Sequence, residues 1–392
     1  MEDWLTSAEA AVRLGVKRAT LYSYVSRGLL SRVVDVDGRS SRFDPEEVEH
    51  LRSRANRRGE GEVGVLVSTA ITQVADGELR VRGRNLIGLS AEARFEEAVD
   101  WVWGAEAVGQ WPSRDDAGGV AHSVQDQLPG TTPMIDRLRV AVSIASATDP
   151  LRNDLSASSV RAVGRRVIGL MVDSLPSVAG QRDGDLAERL WCRLAPGRSN
   201  ARQRAVLNRA LILLLDHGLA SSTLGVRVAA SVRADPYSSV AAGLGILGGR
   251  LHGAASAPVH QIFQEAVTSG DPAGALGEAQ RRTGRTPGFG HSIYRRNDPR
   301  CSALMESITG AWASHEHLPL VLTVQSLASE RTDAPATIDF ALGAMTFLAG
   351  MRPEAGEAIF AIARTAGWIA HALEEYEEDP LRFRFRARYT GS

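Results

Sequence analysis

From about residue 91 onward the chain is patterned as one helix after another, and this limits the possible folds more than any other feature. Alanine, leucine and arginine recur at helical spacing, as in 95–103 and 207–215, while prolines and glycines stand at the breaks between segments. No fixed-period repeat is visible. With 392 residues there is chain enough for roughly two or three domains. The main body is therefore expected to be a large, mainly α domain. Its longest apolar runs, such as 210–215, are too short to cross a bilayer, so no membrane partner is expected.

Residues 4–57 read differently. Thr6 and Ser7 are candidate N-caps with Glu9 in the first turn, and Ala8, Ala11 and Leu14 form a helical stripe that Gly15 stops. A second helix is expected over 18–27, ended by Gly28. Val33-Val34 and Ser41-Arg42-Phe43 flank Asp37-Gly38, a hairpin signal, and Asp44-Pro45 opens a third helix. This order describes a winged helix-turn-helix. The wording (Leu5-Thr6-Ser7-Ala8-Glu9, Arg18-Ala19-Thr20-Leu21-Tyr22, Arg27-Gly28-Leu29-Leu30) resembles the MerR and excisionase-like family. The resemblance implies that Arg18, Thr20, Tyr22 and Ser23 face DNA, with Arg39 and Arg42 on the wing. The competing reading is a module that only packs or dimerises. The module is assigned to 1–57 and a charged linker to 58–63. Beyond it, 63–71 and 78–81 are expected to be short strands.

Charge narrows the chemistry. The 45 basic and 46 acidic side chains leave a net charge of −1, which argues against a nucleic-acid binder along the whole length. Lys17 is the only lysine, so a Walker A loop, a kinase strand lysine and Schiff-base chemistry are all unexpected. Cys192 and Cys301 are far apart and give no disulfide framework, which fits a reducing compartment. The start, Met1-Glu2-Asp3-Trp4, does not read as a signal peptide, so a cytoplasmic location is expected.

Three of the nine histidines stand beside glycines: His217 in Asp216-His217-Gly218, His252 in Gly249-Arg250-Leu251-His252-Gly253, and His291 in Pro287-Gly288-Phe289-Gly290-His291. Glycine lets a ligand or another backbone approach closely. Arginines nearby point to an anionic substrate. Their spacing matches no zinc pattern, and no metal is expected.

These segments resemble the citrate synthase family, which includes 2-methylcitrate synthase. The likeness covers roughly 64–392. It includes Leu79-Arg80-Val81-Arg82-Gly83, the histidine motifs, Asn297-Asp298-Pro299-Arg300, Ile338-Asp339-Phe340, 360–371 and 384–391. It implies a large helical domain (64–225 and 336–392) and a small one (226–335). Asp339 would be the base that deprotonates the methyl group of acetyl-CoA. His252 would hydrogen-bond the thioester oxygen, and His291 would polarise the ketone of oxaloacetate. His217, Arg300 and Arg364 would hold the oxaloacetate carboxylates, and Arg384 would arrive from the neighbouring subunit of a homodimer. Arg295 would meet a CoA phosphate, and Pro287, Gly288, Phe289 and Gly290 would belong to the adenine-binding loop. Acetyl-CoA would be a cosubstrate, with no cofactor permanently bound. Two alternatives stay open: a propionyl-CoA-using 2-methylcitrate synthase, and a DNA-binding regulator whose synthase domain senses oxaloacetate or CoA esters.

Overall fold

The computed structural model describes residues 4–14, 16–26, 30–34, 40–45, 47–48, 67–75, 77–105, 109–112, 119–180, 183–249, 252–291, 293–384 and 389. The chain divides into two compact units, 1–68 and 69–392.

In the first unit, β1 (Leu5–Thr6) leads into α1 (Ser7–Leu14), and α2 (Arg18–Ser26) is followed by β2 (Val33–Val34) and β3 (Ser41–Phe43). A reciprocal cap starts α1: the Thr6 hydroxyl accepts from the Glu9 amide at 3.3 Å, and the Glu9 carboxylate accepts from the Thr6 amide at 2.8 Å. Strand β3 pairs antiparallel with both β1 and β2. Ala10, Ala11, Leu21, Leu30, Phe43 and Val48 make its buried core. Pro45, Glu47 and Val48 are helical. Gly15, Gly28 and the Asp37-Gly38 turn lie outside the described residues. The pairing of β1 with β3 had no signal in the sequence.

The second unit opens on an antiparallel meander of β4 (Thr72–Ala75), β5 (Glu78–Val81) and β6 (Arg84–Asn85). The first of these strands follows the expected 63–71 segment instead of coinciding with it. Gly77 turns the chain at φ +79°, so the residues that pair with Glu78–Val81 are the four on the other side of that turn. Ile71 keeps a buried place, and its carbonyl accepts from the Arg82 amide at 2.7 Å. Residues 63–66 lie outside the described residues.

The remainder is helical. In order come α3 (Leu86–Glu92), α4 (Phe95–Val102), α5 (Gly119–Gln127), α6 (Met134–Thr148), α7 (Ala157–Asp173), α8 (Leu186–Leu194) and α9 (Ala201–Leu214). They are followed by α10 (Ser221–Ser231), α11 (Pro236–Leu247), a 3-10 turn (Gly253–Ala255), α12 (Ser256–Ser269) and α13 (Pro272–Thr283). The last four are α14 (Pro299–Ala311), α15 (Leu318–Arg331), α16 (Ile338–Leu348) and α17 (Ala355–Glu377). Asp235, Asp271 and Asp298 each cap a helix whose first residue is proline, where a missing N–H costs nothing. Gly270 and Gly284 end α12 and α13 in the left-handed conformation. No described helix is long and apolar enough to cross a membrane.

Helix α17 is the axis of the unit. Its 23 residues span about 34 Å, and α4, α6, α7, α9, α10, α11, α12 and α16 pack around it. At Gly367 it presses against the turn after α9, where the Gly367 amide donates to the Leu215 carbonyl at 3.0 Å. A Cβ there would collide with that carbonyl and with the Asp216 carboxylate. Gly367→Ala is therefore expected to cost about 1–3 kcal/mol. The measurement is thermal unfolding, and an unchanged Tm would show that the helix has room to shift.

Candidate active site

One buried carboxylate joins two helix starts. Asp298 caps α14 by accepting from the Arg300 amide at 3.1 Å, and it receives the Arg300 guanidinium in a two-pronged pair at 3.0 and 2.8 Å. It also accepts from the Ile338 amide at 3.0 Å, at the start of α16. Arg300 and the helix start that carries Asp339 are thus held in one place by a single carboxylate. Asp339 lies in the first turn of α16. Burial raises its carboxyl to about 6, against the pull of Arg300 and Arg364, which lowers it.

The 287–290 loop is tied to the same helix start. The Thr337 amide and hydroxyl donate to the Gly288 carbonyl at 2.8 and 3.1 Å, and the Gly290 amide donates to Pro335 at 2.9 Å. Gly288 needs to be glycine: its φ is +75°, and a Cβ would crowd Val259 and the Phe340 backbone. Asp339, His252, Thr337 and this loop line one cavity of about 170 Å³. His252 is held by Ser222 Oγ at 2.9 Å from Nε2, with its ring edge-on to Phe360 at 6.3 Å. Phe360 also carries the Arg364 guanidinium over its ring at 4.6 Å.

A second cluster surrounds Tyr294. His291 and His217 stand edge to face at 5.2 Å, and Tyr294 lies 5.0 Å from one ring and 5.4 Å from the other. The Tyr294 hydroxyl meets His217 Nε2 at 3.0 Å, and Arg300 lies over the phenol ring at 5.3 Å. His291 Nδ1 accepts from the amides of Ile293 and Tyr294 at 3.0 and 3.4 Å. In the neutral ring that leaves the proton on Nε2, the nitrogen free to donate to a ligand.

Electrostatics keep the imidazoles neutral. Burial, with Arg364 adding to it, lowers His252, and burial with Arg300 lowers His291. Burial, joined by Arg300 and Arg364, takes His217 down to about 2. Arg364 is fully buried, which lowers it to about 10, so it stays charged at neutral pH. Its Nε donates to the Leu214 carbonyl at 2.8 Å. Neutral imidazole donors beside two permanent cations and one ionisable carboxylate suit an anionic substrate whose carbonyl must be polarised.

The structure thus brings His252, Asp339 and the 287–290 loop into one cavity, and His217, His291 and Arg300 around Tyr294. Arg364 touches both groups through Phe360 and its charge. Arg295 stands apart from that cavity: it is exposed and lines a separate hollow of about 530 Å³ with Val74, Ala75 and Gly77. Arg384 is exposed on the chain after α17. In the first unit Arg18 is exposed, and Thr20 and Ser23 are half-buried. Tyr22 is 39% exposed with its hydroxyl 3.0 Å from Ser7 Oγ. Arg42 donates to the Trp4 carbonyl at 3.3 Å, and Arg39 lies outside the described residues. Sequence reasoning overlooked Tyr294, Asp298 and Phe360 as parts of the site.

The chain is similar to known proteins over most of its length. Residues 62–386 match the family model described as citrate synthase, C-terminal domain, and residues 4–55 match a helix-turn-helix domain. A citrate synthase from Haloferax volcanii is 29% identical over 358 residues, covering 84% of this chain and 94% of that protein. The 2-methylcitrate synthase 1 of Corynebacterium glutamicum is 26% identical over 355 residues, covering 80% and 90%. Among solved structures, the citrate synthase of Thermoplasma acidophilum, in a ternary complex with carboxymethyl coenzyme A and oxaloacetate, superposes with a TM-score of 0.71. It is 23% identical and covers 85% of this chain and 96% of its own. The fold, the two clusters around α16 and α17, and a family match over most of the length lead to one assignment: the chain belongs to the citrate synthase family of acyltransferases and carries a helix-turn-helix domain at its N-terminus.

Proposed function

We propose that this enzyme condenses acetyl-CoA with oxaloacetate and hydrolyses the resulting citryl-CoA to citrate and CoA. The observation that carries the reading is the shared cavity of Asp339, His252 and the 287–290 loop. Asp339, ionised above about pH 6, takes a proton from the acyl methyl group. His252 donates a hydrogen bond to the thioester oxygen, where charge develops. The new carbon–carbon bond forms at the oxaloacetate ketone carbon with His291 Nε2 hydrogen-bonded to the ketone oxygen. The alkoxide is protonated through His291, which takes a proton back from the attacking water, and the proton held by Asp339 leaves with the CoA thiolate. Water then cleaves the thioester and CoA leaves. Arg300, Arg364 and His217 hold the oxaloacetate carboxylates, and Arg384, exposed on its own subunit, serves the neighbouring site of a homodimer. Residues 226–335 form the small domain and 64–225 with 336–392 the large one. Closing one on the other tightens the cavity that Asp339 and His252 already share and excludes water. Acetyl-CoA is a cosubstrate in this scheme. The 287–290 loop faces its adenine and Arg295 reaches a phosphate once the domains close.

The test is CoA release by the purified protein with acetyl-CoA or propionyl-CoA, with and without oxaloacetate. Release is expected only with oxaloacetate, and faster with acetyl-CoA. A higher kcat/KM with propionyl-CoA would move the chain to the 2-methylcitrate reading, which the Corynebacterium relative supports. No release with either acyl-CoA would defeat the enzyme reading.

The helix-turn-helix match supports a second role, DNA binding through α2. The intact chain is expected to bind duplex DNA with an affinity that falls steeply with salt, and a chain lacking 1–57 is expected to lose it. Binding that survives the deletion would remove the module from this role.

A further inference from the structure

A chain of buried charges runs from the segment after α17 to the turn that carries His217. Arg382 grips Glu375 with two bonds, Nε to Oε1 at 2.7 Å and Nη2 to Oε2 at 2.6 Å. Glu375 also receives Arg227 Nε at 2.9 Å. Arg227 Nη1 reaches Glu374 at 2.6 Å and His371 Nδ1 at 2.9 Å. His371 Nε2 faces Asp216 at 3.4 Å, and Thr72 Oγ1 donates to the same carboxylate. Arginine can only donate, so His371 Nδ1 accepts, and the proton of the neutral ring sits on Nε2, aimed at Asp216. Glu375, Arg227, His371 and Asp216 are all 0% exposed.

Burying so many charges is a poor way to gain stability, since apolar side chains of similar size do as well or better. What such a network does supply is fixed geometry. Its surroundings show the same emphasis. Two non-glycine residues hold left-handed backbone here: Arg233 at φ +59° and Leu381 at φ +61°. Arg233 caps the end of α17 by donating to the carbonyls of Glu375 and Glu378 at 3.1 and 2.7 Å. The Leu381 amide donates to the Ser231 carbonyl at 2.9 Å. The chain therefore reverses sharply after α17 and is pinned at 381 and 382, two residues before Arg384. At the far end, Asp216 precedes His217 and sits under the charge of Arg364.

We propose that Arg382 and Glu375 are positioning residues: the chain Arg382–Glu375–Arg227–His371–Asp216, buried from Glu375 inward, fixes where Arg384 leaves the subunit relative to the turn that carries His217. The inference rests on the proposed role of Arg384 in binding oxaloacetate. Because Arg382 acts only through Arg384, its effect depends on that residue being present.

The test compares the full-length wild type with R382A, R384A and the R382A/R384A double variant, reading KM for oxaloacetate, KM for acetyl-CoA and Tm. Arg382 is partly exposed, with 27% of its side chain accessible, so R382A is expected to fold. R382A is expected to raise KM for oxaloacetate about tenfold and leave KM for acetyl-CoA unchanged, with partial recovery in R382K. In the R384A background R382A is expected to add nothing, the signature of coupled positions. An unchanged KM for oxaloacetate in R382A, beside a raised one in R384A, overturns the tether alone. Effects that simply add overturn it too. If R384A leaves KM unchanged, the role assigned to Arg384 fails and the tether with it.

Discussion

Asp339→Asn is expected to lower CoA release about 10³-fold while making the protein more stable. The amide is almost the same size but cannot take the methyl proton, and general bases of this kind are worth about 10²–10⁴-fold in rate. The gain in stability follows from linkage. Burial places the folded carboxyl at about 6, above its ordinary value of 3.8, so the folded state binds the proton more tightly than the unfolded chain. Ionising it therefore costs stability, a cost absent below 3.8, growing as pH rises, and complete above about 6. At pH 7.5 its removal is expected to return about 2–3 kcal/mol, of the order of the shift converted at 1.36 kcal/mol per unit. Thermal unfolding of both proteins at pH 7.5 checks the sign. A lower Tm in the variant would mean that the charge is held by partners strong enough to outweigh its burial.

Arg364→Leu is the second large effect. Arg364 is fully buried, anchored to the Leu214 carbonyl, and stacked on Phe360 beside His252. Losing a desolvated carboxylate clamp costs about 2–5 kcal/mol, so KM for oxaloacetate is expected to rise about 10²-fold or more. The same guanidinium lowers the Asp339 carboxyl and the His252 imidazole. Its removal should let both rise, so the acid limb of kcat/KM should move to higher pH. Steady-state kinetics across pH 5–8 measure both consequences. A raised KM with an unmoved limb would leave Arg364 a clamp without influence on the base.

Much of this site was legible because its residues sit in compact local motifs. His217, His252, His291, Arg300, Asp339 and Arg364 each stand in a short run whose neighbours are distinctive. The Asp44-Pro45 pair marked a helix start by its capping chemistry alone, and Pro45, Glu47 and Val48 are helical. What escaped was everything that depends on distant pairing. Asp298 stood unread inside Asn297-Asp298-Pro299-Arg300, since its bond to Ile338 spans forty residues and has no local signature. Tyr294 was not singled out, although it touches two imidazoles and lies under Arg300. The Arg227–His371 contact joins α10 to α17, and only packing reveals it. Strand β1 is two residues long, too short for any periodicity to show. The first strand of the second unit was misplaced because β-branched composition was weighed above the turn at Gly77, which sets the register. Arg295 followed the motif in sequence, yet in this structure it lines a different hollow from the loop beside it.

The central claim is that a buried Asp339, ionising near neutrality, is the base of an acyl-CoA condensation. It is tested most directly by following CoA release from pH 5 to 8 with acetyl-CoA and oxaloacetate below saturation, where kcat/KM reports the free enzyme. Release is expected to rise with pH to half its plateau near pH 6 and to need both substrates. Release that stays flat across this range, or that proceeds without oxaloacetate, would contradict it.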